Sequence, residues 1–272
     1  MNVRILRAIM RKDLLTIAQN KGVWMPVLIV PVLFVVILPA AIWLAPTYLN
    51  FPGSAVNQME LFMRNMPASL RQQVAGMGEM QTFAYLFTVY FFAPFFLIIP
   101  LMASSVISAD SFAGEKERKT LEALLYTPAS DLELFAGKVL TAWTPAVLLA
   151  WGSFLLYVIV VNAAGYPLMG RLFFPTPMWF LMMLWVAPAA AALSIGLMVV
   201  LSTKVKTFQE ANQIGGIVVV PILLLVFAQV GGVLYFSVPV ALIVGGVLWA
   251  CDIALIGLGV RTFARGELIA RL

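Results

Sequence analysis

Charge is scarce in this 272-residue chain, at 11% of residues, so the places where it gathers are the places to look for chemistry. One stretch stands out, Ser108 to Lys138, SADSFAGEKERKTLEALLYTPASDLELFAGK. It holds six acidic residues (Asp110, Glu115, Glu117, Glu122, Asp131, Glu133) and four basic ones (Lys116, Arg118, Lys119, Lys138). Ser108 and Asp110 are placed to cap a helix. Within that helix Glu115 and Lys119, and Arg118 and Glu122, stand four apart and can meet on its surface. Leu121, Leu124 and Leu125 make an apolar edge, and Thr127-Pro128 ends the helix, because a residue before proline avoids the helical region. The spacing predicts a short helix lying across a membrane face, one edge apolar and the other dense with both signs of charge. Such an edge suits a docking partner, and a solvated loop reads the same way.

Other chemistry is thin. The chain has no histidine and one cysteine, Cys251, which excludes histidine-based metal and proton-relay sites and an intrachain disulfide. No G-x-x-x-x-G-K-[ST] loop is present for nucleotide phosphates. Inside the apolar runs the one charge is Asp252, in LWACDIALIG. A charge costs about 2.5–3.5 kcal/mol at the centre of a span. Asp252 therefore reads as an ion, proton or substrate contact, or as a capping or interhelical hydrogen bond. Gln229 is a second polar residue in an apolar run, a candidate for a transport pathway. An intramembrane enzyme is disfavoured, for no carboxylate pair or Ser/Lys dyad lies in the spans.

The elements that must position these residues follow from hydropathy. Hydrophobic residues make up 62% of the chain and mean hydropathy is +1.00, too apolar for a soluble fold to cover itself. Six spans are predicted near 23–45, 83–107, 139–163, 178–201, 214–234 and 238–260. The fold class is an all-α integral membrane protein of one domain, 1–272. Residues 1–22 form an amphipathic helix, with Val3, Leu6, Ile9, Met10 and Ile17 on one face and Arg4, Arg7, Arg11 and Lys12 on the other. It serves as an orientation anchor, a partner contact, or both. Fourteen of the seventeen Lys and Arg residues fall on one side, so both termini and the 108–138 loop are assigned to the cytoplasm of a cell membrane. The basic excess therefore belongs to topology, not to nucleic acid. The outer loop, 46–82, carries Met59, Phe62, Met63 and Met66 at helical spacing before Pro67. The loop 164–177, with Tyr166, Phe173, Phe174 and nearby Trp179, reads as an aromatic belt. The short connection near 234–238 predicts a tight hairpin of spans five and six. Gly215-Gly216, Gly231-Gly232, Gly245-Gly246, Gly257, Gly259 and Gly266 invite close helix packing.

GEKERKTLEALLYTP followed by GK resembles the motif of ABC-2 type permeases, E-x-E-x-x-T-L-E-x-L-L-x-x-P between the second and third spans. The matching residues are Glu115, Glu117, Thr120, Leu121, Glu122, Leu124, Leu125, Pro128, Gly137 and Lys138. Lys119 stands where that family has a small residue. The resemblance implies that 108–138 is a coupling helix, with Lys116 and Arg118 in its docking face. It implies a separate ABC ATPase as partner, in two copies, binding ATP and Mg, with no cofactor on this chain. It implies a second permease chain, a homodimer by expectation, with the seam and pathway near spans two and five. The branch with a long outer loop, which includes sodium-efflux and multidrug permeases, is the most similar. The expected function is the non-catalytic membrane subunit of an ATP-driven exporter. The alternative is an ion- or proton-coupled carrier or channel using Asp252.

Overall fold

The computed structural model describes residues 3–48, 68–118, 120, 129–205, 207–230 and 235–262. Helix α1 is Val3–Gln19. Helix α2, the first span, runs as Lys21–Pro31, Val32–Ile37 and Leu38–Tyr48. A short α3, Ala68–Val74, precedes α4, Glu79–Glu117, and α5, Asp131–Met169. Then come α6, Pro177–Ser202, α7, Phe208–Gln229, and α8, Val238–Thr262. Six of these are long and apolar enough to cross a membrane, and the described residues contain no strand. The six predicted spans all appear.

Two of them exceed prediction. Helices α4 and α5 each have 39 residues, about 58 Å at 1.5 Å per residue, roughly twice a hydrocarbon core. The charged stretch therefore begins on a helical extension, not on a loop. Ser108 and Asp110 are interior helix residues and cap nothing: the Ser108 hydroxyl donates to the Ser104 carbonyl at 2.5 Å, and Asp110 keeps helical torsions. The cap that does form is Ser130 of α5. Its hydroxyl accepts from the Glu133 N–H, and the Glu133 carboxylate accepts from the Ser130 N–H. At the far end Gly170, at φ +64°, closes α5 by donating to the Tyr166 carbonyl.

Prolines shape the spans. Wide, π-type turns occur at Val32–Ile37, Phe87–Phe91 and Met182–Val186, just ahead of Pro39, Pro94 and Pro188. Proline cannot donate to the fourth residue before it and its ring crowds that carbonyl, so the preceding turn opens. Carbonyls in these turns recruit side chains. Tyr157 donates to Thr88 O and Trp179 Nε1 to Val89 O, while Trp151 Nε1 donates to Met183 O and Trp249 Nε1 to Trp185 O. No water would be at hand in a bilayer, so such donors are the means of satisfying that backbone. Trp179 and Phe174 are accordingly buried in the largest core cluster, with Tyr157 and Phe96, rather than facing lipid in a belt. Tyr166 is exposed as expected.

Spans five and six do not pair as a tight hairpin. Helix α7 lies on α4 and α8 lies on α6, so the two legs part from their short connection. Close glycine contacts explain the second pairing: a Cβ on Gly245 would meet the Trp185 ring at 2.2 Å, and one on Gly259 would meet Phe135 and Val199. Gly215 is equally tight against Met198 and Ser105, whereas Gly216, Gly246 and Gly257 face open space. Gly231, Gly232, Gly266 and the 59–67 segment lie outside the described residues.

Candidate functional site

The charged stretch closes into an ionic knot where α1, α4 and α5 meet. Its centre is Glu115 near the end of α4. Oε1 of Glu115 accepts from Lys12 of α1 at 2.7 Å, and Oε2 accepts from Lys138 of α5. Lys12 also pairs with Asp13 at 2.9 Å, and Lys138 lies 4.0 Å from the other Asp13 oxygen. Ser111 bridges, donating to Asp13 and receiving Lys138 at both its hydroxyl and its carbonyl, the latter at 2.7 Å. Glu115, Lys138 and Asp13 are buried, and Lys12 is half-exposed. The four charges sum to zero, which is the condition for holding them together out of water. Burial pulls the Lys12 ammonium down, but hydrogen bonds and charges from Glu115 and Asp13 outweigh it and hold it above the ordinary lysine range. The ring of Phe112 lies 5.5 Å from the Lys138 ammonium and covers one side.

Local sequence builds this knot. A fourth wide turn, Asp110–Gly114, falls where no proline demands it. Two of its carbonyls accept from cationic side chains, Asp110 O from Arg118 and Ser111 O from Lys138. Gly137 sits one residue before Lys138, and a Cβ there would come within 2.9 Å of Ile9. The absent side chain lets α1 lie directly on α5. The glycine and lysine of the motif thus act together, one admitting α1 and the other tying it to α4.

Glu115 is therefore turned inward, away from any docking edge. Arg118 also departs from the expected pairing, joining Asp110 at 3.0 Å within α4, where Asn20 also donates to Asp110 at 3.3 Å. The next motif residues grip the α6–α7 connection. The Lys116 ammonium donates to Val205 O, and the Glu117 carboxylate accepts from the Phe208 N–H at the start of α7, where Thr207 is the cap. Thr120 folds back on Glu115 O through its N–H and hydroxyl. Glu117, Arg118 and Thr120 remain exposed. Lys119, Leu121, Glu122, Leu124, Leu125 and Pro128 lie outside the described residues, as do the apolar edge and the stop predicted for them.

Asp13 was not anticipated. It is the one acidic residue of α1 and stands four from both Ile9 and Ile17, the buried positions of that helix. An acid inside an apolar stripe was the available signal. The buried face of α1 is Ile9–Asp13–Ile17; Val3, assigned to the apolar side, is exposed.

Asp252 and Gln229 lie apart from the knot. Asp252 is 1% exposed, on α8 between Trp249, which bonds Trp185 O, and Leu255, which packs on Gly196. Among the described residues neither of its carboxyl oxygens has a hydrogen-bond partner, and the amide of Gln229, fully buried on α7, has none either. No group of three or more metal-ligating side chains exists among the described residues.

Six spanning helices with a charged knot at the root of the connection after the second define a multi-pass, α-helical membrane protein. Residues 7–245 match the family described as ABC-2 family transporter protein, and the chain belongs to that family. It is a membrane component of an ABC transporter, and membership implies an ABC ATPase as partner. A search of curated proteins finds no match to this chain.

Proposed function

We propose that this chain is the permease subunit of an ATP-driven exporter, with both termini and the knot in the cytoplasm. Two copies pair, each served by one ATPase subunit that binds ATP and Mg. The observation that carries the reading is the bracing of the motif. Glu115 ties it to α1 and α5, while Lys116 and Glu117 tie it to the start of α7. A push on the segment after Thr120 therefore reaches three spans at once. Closure of the two ATPases would move these roots together and bias the spans between inward-open and outward-open states. Glu117, Arg118, Lys119 and Glu122 form the charged docking edge in this account, with Leu121, Leu124, Leu125 and Pro128 setting its orientation. Helix α7 forms the seam with the second chain in this account, through the exposed apolar face that carries Ile217, Leu224 and Phe227. Helix α4, enclosed by its own chain, stands behind that seam.

The test is reconstitution with an ABC ATPase that co-purifies with this chain. Charge reversal at Glu117 and Glu122 is expected to cut ATP-dependent transport at least tenfold and to weaken co-purification of the ATPase, while the permease still folds. Unchanged transport in that variant would overturn the reading.

The Asp252 carboxyl, without a hydrogen-bond partner among the described residues, supports a second reading, a carrier driven by an ion or proton. Asp252→Asn separates the two. The exporter reading expects ATP-dependent transport within about twofold of the parent and unchanged or higher thermal stability, because a neutral amide is easier to bury than a carboxylate. Abolished transport with ATPase binding intact would shift the assignment to ion coupling.

A further inference from the structure

A cavity of about 930 Å³ opens at the end of the bundle opposite α1, the outer side in the orientation proposed above. Five separate pieces of chain frame it: α3, the turn after it, α4, the 171–178 connection and the start of α8. Its size is that of a site for a drug-sized molecule, far beyond what an inorganic anion fills.

Among the described residues the charge in its lining is a single cation, Arg171, and no acidic residue lines it. Arg171 makes no ion pair with any described residue, and its side chain is exposed to the cavity mouth. Tyr85, Tyr90 and Tyr235 also line the cavity. Tyr90 already donates to Gln73 Oε1 at 2.6 Å. Thr176 also lines the space, and its hydroxyl lacks a hydrogen-bond partner among the described residues. The remaining wall is mostly apolar, with Leu70, Met77, Leu172 and Met178, beside Ser237.

This wall is held rigidly. Asn162 of α5 accepts from the Phe173 and Phe174 N–H groups and donates to Phe174 O at 2.7 Å, while Phe173 packs on Trp43 and Tyr85. Gln81 donates to Leu168 O at 2.6 Å, and Gly170 turns the chain sharply just before Arg171. The guanidinium therefore starts from a fixed backbone. Its planar fork suits the oxygens of a phosphate or carboxylate.

We infer that this cavity binds an amphiphile with an anionic headgroup, the phosphate or carboxylate at Arg171 and the apolar part against the Met77 and Met178 wall. The inference is separate from the ATPase coupling proposed above and is tested without it.

The full chain is placed in nanodiscs of phosphatidylcholine, without ATPase or ATP, and titrated with dodecyl phosphate while its tryptophan fluorescence is followed. Dodecyltrimethylammonium and inorganic phosphate serve as comparison probes. A saturable response to dodecyl phosphate is expected, weakened at least tenfold in Arg171→Gln and largely kept in Arg171→Lys. Met77→Phe, which crowds the wall, leaves the cation and adds no tryptophan, is expected to lose the response as well. Arg171→Gln should melt at the parent temperature, since its side chain has no ion pair to lose. An undiminished response in both Arg171→Gln and Met77→Phe would overturn the site. Equal binding of dodecyltrimethylammonium would overturn the anionic headgroup, and equal binding of inorganic phosphate would overturn the amphiphile.

Discussion

Lys138→Met will destabilise the protein by about 3 kcal/mol, at the low end of the range for breaking a buried ion pair. The substitution keeps the volume of the side chain and removes its charge. Glu115 and Asp13 are then left sharing Lys12, and the knot carries one uncompensated negative charge. The loss falls at the low end because Lys12 is half-exposed and admits water to that side. Ser111 O also loses its side-chain donor. The measurement is thermal melting of the purified chain, with a cycle that includes Glu115→Gln and the double variant. The double variant is expected to melt closer to the parent than the sum of the singles, since removing both partners leaves less charge unpaired. Additive singles would show that the two residues do not act as a pair. A second readout separates architecture from coupling. Where the double variant folds, it should still transport less per ATP hydrolysed, because α1 and α5 are no longer tied to α4.

Asn162→Leu is the second large effect expected, a loss of about 2–4 kcal/mol. One side chain satisfies three backbone groups of the Phe173–Phe174 turn, and the replacement satisfies none. Two N–H groups and a carbonyl would be left beside the core, and each buried unsatisfied group costs about 1–3 kcal/mol. Water near the end of the bundle reduces the sum. Melting temperature is the first readout. The second is protease nicking of the 171–178 connection, which should rise in the variant and stay low in the parent. A variant that melts and resists protease like the parent would show that the turn holds itself.

The six spans were legible because hydropathy and length are the physics of a bilayer, and they recur with shifts of a few residues at most positions. The charged stretch was legible as a motif, but its geometry was not. Glu115 reads as a surface residue when only its neighbours in sequence are considered, for its partners lie 103 and 23 residues away. Ser130 and Glu133 stand three apart as a capping box, so the early start of α5 was written in local sequence. Asp110 shows the opposite case. Its type and place suit a cap, yet α4 continues through it, because Arg118 and Asn20 satisfy its carboxylate inside the structure. The parting of α7 and α8 had no local signal either. A short connection limits how far two helix ends can separate and leaves open which neighbour each leg prefers.

The wide turns carry a consequence of their own for phase. A π-type turn is one residue longer than an α-turn, so everything beyond it is rotated by about 100° relative to an unbroken helix. Helix α4 contains two such turns and α6 contains one. Along α4 the stripe that faces the α5 core near Thr88 is consequently out of register with the stripe that presents Ser111 and Glu115 to Lys138. One helix therefore shows different sides to the same neighbours at its two ends. A single-residue deletion at Asp110–Gly114 would restore a continuous helix and keep Glu115 in phase with the knot, because the missing residue and the lost wide turn offset each other.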